Sequence, residues 1–234
     1  MTHPDYRKKD LLTQILKELF KELEKDQFDC LYSFPTRIAA WNLMKEHLIW
    51  EDVGELLILQ YSKSHRLEGF PQTINFVQGE ADIKSIERTE GLLFTNKSVR
   101  IKRTLEYLKW KLIDNPNHSY YFLNIFNKDR LMGVFFYKYY EKSIDIIEYF
   151  YSADFSSMRL PNLVNGYNYL LDNGNISNVN MWIFKSSEEY NCLTSKGATA
   201  SDLITHFGYV SLKGTGHYKD SKNWHLSFMD SDIY

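Results

Sequence analysis

Between residues 11 and 25 apolar side chains return at every third or fourth position. Leu11, Ile15, Leu19 and Leu23 form one row, with Leu12, Leu16 and Phe20 beside it, while Thr13, Gln14, Lys17, Glu18, Lys21 and Glu22 fill the other side. This period predicts an amphipathic helix, and Glu18 precedes Lys21 at a spacing that lets opposite charges meet on a helix surface. The pattern then changes to FDCLYSFP, an apolar run closed by Pro35, which predicts a buried strand ending at a proline stop. A second helix over 37–47 and a strand over 55–61 (ELLILQY) complete a helix-strand-helix-strand series, which is half of an α/β domain. The missing strands would leave an apolar sheet edge open, and open edges pair with whatever they meet. The half-domain is therefore expected to dock against the rest of the chain or against a second copy in a homo-oligomer.

Residues 62–79 are polar and carry Gly69, Pro71 and Gly79, which predicts a linker between a region 1–68 and a region 69–234. Helical patterning follows over 83–89 and through VRIKRTLEYLKWKL, ending ahead of Asn115-Pro116 because proline bars the preceding residue from a helix. Three aromatic and β-branched runs, 120–126, 131–140 and 144–151, are separated only by residues 127–129 and 141–142. Connections that short force antiparallel neighbours, hence a meander. A helix within 158–173, a strand over 178–184, a helix over 187–196, further helix to Phe207 and terminal strands near 209–212 and 224–228 complete the reading. The fold class is α/β.

Composition narrows the function classes. Of 234 residues, 44% are hydrophobic and 25% charged, and the formal net charge is −2. A balance that close to neutral gives no reason to expect nucleic acid or an anionic membrane as partner. The apolar run 131–140 is interrupted by Lys138 and is far shorter than the ~18 residues of a membrane span. The first ten residues, MTHPDYRKKD, lead into an amphipathic pattern rather than the apolar core of a secretory signal. Cys30 and Cys192 are the only cysteines, so a disulfide framework and a cysteine zinc site are not expected, and a reducing cytoplasm suits the chain. His217, His225, Asp230 and Asp232 lack the i, i+4 spacing of helical metal ligands and read as surface polar residues of a tail strand. Arg100, Lys102, Arg103, Lys109 and Lys111, interleaved with Tyr107 and Trp110, share a helix with Leu105, Leu108 and Leu112 and read as a solvated face. Gly214-Thr215-Gly216 reads as a turn.

An antiparallel meander followed by helix, strand, helix and strand resembles the GNAT (Gcn5-related N-acetyltransferase) superfamily. The resemblance covers most of the chain. HPDYRKKDLL is similar to the loop and helix start that grip the coenzyme A pyrophosphate, and FPTRIAAWNLMKEHLIW is similar to the later helix that lines the acyl site. YLKWKLIDNP, LMGVFFY and NWHLSFMDSDIY resemble the C-terminal domain of tandem GNAT-like proteins of bacterial polysaccharide gene sets. The likeness implies a mostly antiparallel GNAT-like sheet flanked by helices in 69–234, preceded by an incomplete half-domain in 1–68. It also implies acetyl-CoA as co-substrate and acetyl transfer to a primary amine, with an amino sugar or envelope precursor as acceptor.

The pyrophosphate grip has a physical logic, since a helix N-terminus offers unpaired N–H groups and partial positive charge. In the first region the loop Arg7-Lys8-Lys9-Asp10-Leu11 departs from the glycine-rich pattern. Lys8 and Asp10 stand at glycine positions, and Asp10 suits a helix N-cap better than a phosphate site. Thr36 or Arg37, Met44 and Ile49 replace the Asn, the proton-donating Tyr and the Gly of active relatives. The resemblance therefore places the chemistry in the second region. There Glu148 lies on the strand that supplies the general base, Tyr190 lies on a helix that can present a general acid, and backbone N–H groups of Ser156, Ser157, Met158 and Arg159 would hold the pyrophosphate. The replacements motivate an alternative, a catalytically silent binding or assembly module.

Overall fold

The computed structural model describes residues 11–35, 38–48, 50–65, 74–93, 97–214 and 216–231. The stretch Arg7–Asp10, the positions Thr36, Arg37 and Ile49, and the expected boundary at residue 68 lie outside the described residues. Two compact units result, one from 1–56 with 204–223 and one from 57–203 with 224–234.

The first unit contains α1 (Leu11–Lys25), β1 (Cys30–Ser33), α2 (Ile38–Leu48), the start of β2 (Glu51–Ser62) and the second half of β8 (Thr199–Ser211). The strand order is β1-β8-β2, with β1 antiparallel to β8 from Cys30–Ser211 to Ser33–Gly208. The last strand of the chain thus supplies a partner that the first segment lacks. Residues 199–207, expected as helix, belong to β8, where Thr205, Phe207 and Tyr209 are buried. Trp41, Trp50, Leu16, Leu31 and Met44 form the small core. It turns α1 by part of a turn relative to the sequence reading, burying Thr13 and leaving Ile15 and Leu19 exposed.

The second unit is built on the order β2-β7-β6-β5-β4-β3. Its further elements are β3 (Ile74–Glu80), α3 (Ile83–Glu87), α4 (Leu105–Leu112), β4 (Tyr121–Asn127), β5 (Arg130–Tyr140), β6 (Ser143–Tyr151), α5 (Arg159–Asn173), β7 (Asn178–Phe184) and α6 (Glu188–Ser195). β3 pairs along β4 from Ile74–Asn127 to Glu80–Tyr121, so the end of the expected linker is an edge strand. The meander β4-β5-β6 is antiparallel as expected. On one face Leu123, Ile125, Phe135, Tyr137, Ile144 and Ile146 pack against Leu163, Val164, Tyr167 and Leu170 of α5. The helix lies close because Gly166 faces Phe135, where a Cβ would come within 2.3 Å of the ring. On the other face α4 starts later than its apolar pattern suggests. Thr104 is extended and its hydroxyl accepts from the Tyr107 N–H, so the helix is capped there and 99–103 are not helical. Residues 224–228 form no strand beyond a single parallel bridge of Trp224 to Val99. No described helix is long and apolar enough to cross a membrane.

Candidate functional site

The site follows from one irregularity in β6. The β5–β6 register passes from Phe136–Glu148 to Tyr137–Ile146, leaving Ile147 as an extra residue. Such a bulge bends its strand and flips the side-chain phase. Before it Ile144 and Ile146 face the core, and after it Tyr149 and Tyr151 do. Glu148 is thereby turned to the opposite face. β6 runs parallel to β7, with register described from Ser143–Asn178 to Ile146–Met181. Next to the bulge the two strands enclose a cleft of about 90 Å³. Glu148, Tyr149, Trp182, Arg159 from the start of α5, Glu189 from α6, and Trp224, His225 and Ser227 from the last segment are among its lining residues.

Glu148 is 2% exposed and its oxygens are fully engaged. The Arg103 guanidinium donates to Oε2 from Nη2 at 2.8 Å and from Nε at 3.0 Å. The Ser227 hydroxyl donates to the same oxygen at 3.0 Å. Oε1 takes the Tyr149 N–H at 3.1 Å and lies 3.1 Å from Nε2 of His225. Arg103 also grips Asp230 with two bonds of 2.8 and 2.9 Å, and both side chains are essentially inaccessible. Burial alone would raise the Glu148 pKa. His225 and Arg103 outweigh it and hold the carboxyl down at about 2. Burial likewise opposes the charge on Arg103, yet the carboxylates of Glu148 and Asp230 keep it firmly protonated. Tyr107, whose hydroxyl donates to the Met229 carbonyl at 3.0 Å, is pushed up to about 12, chiefly by burial.

A carboxylate this acidic is a poor proton acceptor near neutral pH. It is suited instead to orient an imidazole. Nε2 of His225 on Oε1 fixes the orientation of the ring. His225 is about one-fifth exposed and lines the cleft.

The expected site residues separate. Glu148 and Arg159 line the cleft. Ser156 and Ser157 are exposed in a 3-10 turn over Ala153–Met158, and Met158 packs on the core. Tyr190 lies in α6, its N–H capped by Ser187, and its ring packs against the core outside the cleft lining. Arg159 forms an ion pair with Glu189 and its guanidinium lies 5.4 Å from the Tyr151 ring centroid. The sequence reading missed the roles of Arg103, His225, Ser227 and Asp230. Arg103 is inside rather than on a solvated face, and so is Lys111, which donates to the Ser231 carbonyl at 2.7 Å. Among the described residues, no three His, Cys, Asp or Glu side chains converge as metal ligands.

No family model and no curated protein matches the chain. Solved structures do. One is a conserved protein from Enterococcus faecalis, described as a probable N-acyltransferase, at 15% identity and TM-score 0.62, covering 91% of this chain and 52% of that one. A GCN5-related N-acetyltransferase from Anabaena variabilis gives 10% and 0.61, covering 89% and 52%. A tandem GNAT protein from the clavulanic acid biosynthesis pathway gives 10% and 0.58, covering 92% and 74%. The chain has the GNAT fold, and it spans about half the length of the first two of these structures.

Proposed function

We propose that this GNAT-fold chain is an acyl-CoA-dependent N-acyltransferase working in the cleft between β6 and β7. One observation carries the reading: at the bulge the parallel pair opens beside a histidine held by a buried glutamate. The acceptor amine would lose its proton to the His225 imidazole and attack the thioester carbonyl. The C–S bond then breaks, and the imidazolium returns the proton to the thiolate. Glu148 stabilises the imidazolium without being protonated, and Arg103, Asp230 and Ser227 hold Glu148 in place. Arg159, first residue of α5, adds its charge to the helix N-terminus to receive the pyrophosphate. The resemblance to proteins of polysaccharide gene sets supports an amino sugar or envelope precursor as the amine.

The test combines binding with turnover. Acetyl-CoA at a hundredfold excess over its Kd adds about 2.7 kcal/mol of stability to a protein that binds it, read as a thermal shift. Free thiol released with glucosamine as acceptor then reports transfer, and His225→Ala should abolish the thiol while keeping the shift. No shift with any acyl-CoA rules the enzyme out.

A second reading, a catalytically silent binding module, is favoured by the size of the cleft. At about 90 Å³ it is well below the roughly 300–1,000 Å³ of ordinary ligand sites. A thermal shift with no thiol release from any amine supports that reading.

A further inference from the structure

A second cleft lies where β4 begins and β5 ends, and its volume of about 570 Å³ is that of an ordinary small-molecule site. It shares no lining residue with the cleft between β6 and β7. We propose that it binds a saccharide carrying a carboxylate, a hexuronic acid unit, with the sugar ring against its tyrosines and the carboxylate on Lys138. The inference stands apart from the acyl-transfer reading.

One wall is aromatic. Tyr121, Tyr139 and Tyr140 line the cleft, with Tyr139 42% and Tyr140 61% exposed. Two of these rings are anchored by a buried neighbour. Tyr137 stacks on Tyr121 at 5.7 Å between centroids and meets Tyr139 edge-on at 5.8 Å. Rings held in this way give up little freedom when a ligand arrives. Tyr121 and Tyr139 stand at 80° to each other, 5.0 Å apart, which leaves no parallel slot between them for a flat heterocycle. The arrangement suits a puckered ring, which lays its C–H face on one tyrosine and turns its hydroxyls towards the other.

The other wall is polar. The loop ahead of β4 contributes Asn117, His118 and Ser119, an amide, an imidazole and a hydroxyl that between them donate and accept hydrogen bonds. Sugar hydroxyls do both as well, whereas an apolar occupant would offer these groups nothing.

Charge selects among sugars. No Asp or Glu is among the lining residues, and Lys138 is. Its side chain is buried, at 6% exposure, which is costly for an ammonium unless negative charge is at hand. The sheet provides Asp145, which stands opposite Lys138 in the β5–β6 register and accepts from Asn180 Nδ2 at 2.8 Å. Burial nevertheless pulls the Lys138 pKa below the ordinary lysine value, and Asp145 offsets only part of the effect. A carboxylate entering the cleft adds a second negative group through charge-assisted hydrogen bonds. A neutral sugar gains the stacking and the hydroxyl contacts alone.

The test titrates the whole chain with methyl β-glucuronide, methyl β-glucoside and acetate, read by saturation-transfer NMR on the ligands and chemical shifts of the protein. The glucuronide should bind about fivefold more tightly than the glucoside, the margin of a hydrogen bond to a charged group over a neutral one. Lys138→Met should bring the two glycosides to equal affinity. Tyr140→Ala and Ser119→Ala, both at exposed positions, should weaken the two glycosides together, and they keep the test decisive if Lys138→Met fails to fold. No transfer to either glycoside, equal affinities of the native chain for both, or unchanged binding in Tyr140→Ala and Ser119→Ala overturns the proposal. Acetate binding as tightly as the glucuronide also overturns it, since the site would then recognise a bare anion. None of these outcomes bears on acetyl-CoA binding, which the thermal shift reports separately.

Discussion

Replacing Arg103 by leucine isolates the buried charge cluster. The substitution leaves Glu148 and Asp230, both sealed from solvent, without the guanidinium that now donates two bonds to each. Removing one partner of a buried ion pair costs about 3–5 kcal/mol, because the charge left behind is neither solvated nor matched. That is a large share of the ~5–15 kcal/mol that stabilises a typical domain. Urea unfolding at pH 7, followed by tryptophan fluorescence, should show the loss as a lower midpoint. Adding Glu148→Gln to Arg103→Leu should recover part of it, since the amide removes one of the stranded charges. The pH dependence of the native chain checks the same cluster. Glu148 has its folded pKa lowered from 4.5 to about 2, so its contribution is fully present above pH 4.5 and disappears as the pH falls towards 2. A shift of that size corresponds to about 3 kcal/mol. Glu148→Gln should flatten that part of the stability profile. A midpoint for Arg103→Leu matching that of an exposed change such as Lys21→Ala, or no recovery in the double variant, would refute the reasoning.

Two further outcomes are expected. Gly166→Ala gains helix propensity of up to about 1 kcal/mol but drives a methyl into the Phe135 ring. It should lower the melting temperature by an amount equivalent to about 1–2 kcal/mol net, whereas a raised melting temperature would show that α5 can move away freely. Tyr190→Phe should leave the rate of thiol release within about twofold, because the ring lies outside the cleft lining; a hundredfold loss, typical of removing a general acid, would restore Tyr190 to the chemistry.

The meander was legible because its runs are long, aromatic and joined by two or three residues, which leaves the topology no choice. The bulge was legible too, had polar spacing been followed along SIDIIEYFY. The interval from Ser143 to Asp145 is two residues and from Asp145 to Glu148 is three, a phase slip that an unbroken strand cannot accommodate. Glu148 was singled out through the family resemblance, but its partners were not. Arg103 looks like any cation in a basic stretch, and only the chain's return at 224–231 turns it inward. Residues 199–207 misled for a local reason: Ala200, Leu203 and Ile204 mimic a helical spacing, although the stretch belongs to β8. The Arg159–Glu189 pair leaves no trace in a linear pattern, since each charge is ordinary on its own helix.

The tie between Arg103 and Asp230 has a consequence for biosynthesis. The two residues are 127 positions apart, and at bacterial-to-eukaryotic elongation rates of ~5–20 residues per second the ribosome needs on the order of ten seconds to make the second after the first. For the first part of that interval Arg103 has neither carboxylate, and from residue 148 onward it has Glu148 alone, with Asp230 still to be made. The buried cluster is therefore completed only when the segment carrying Ser227 and Asp230 has been made.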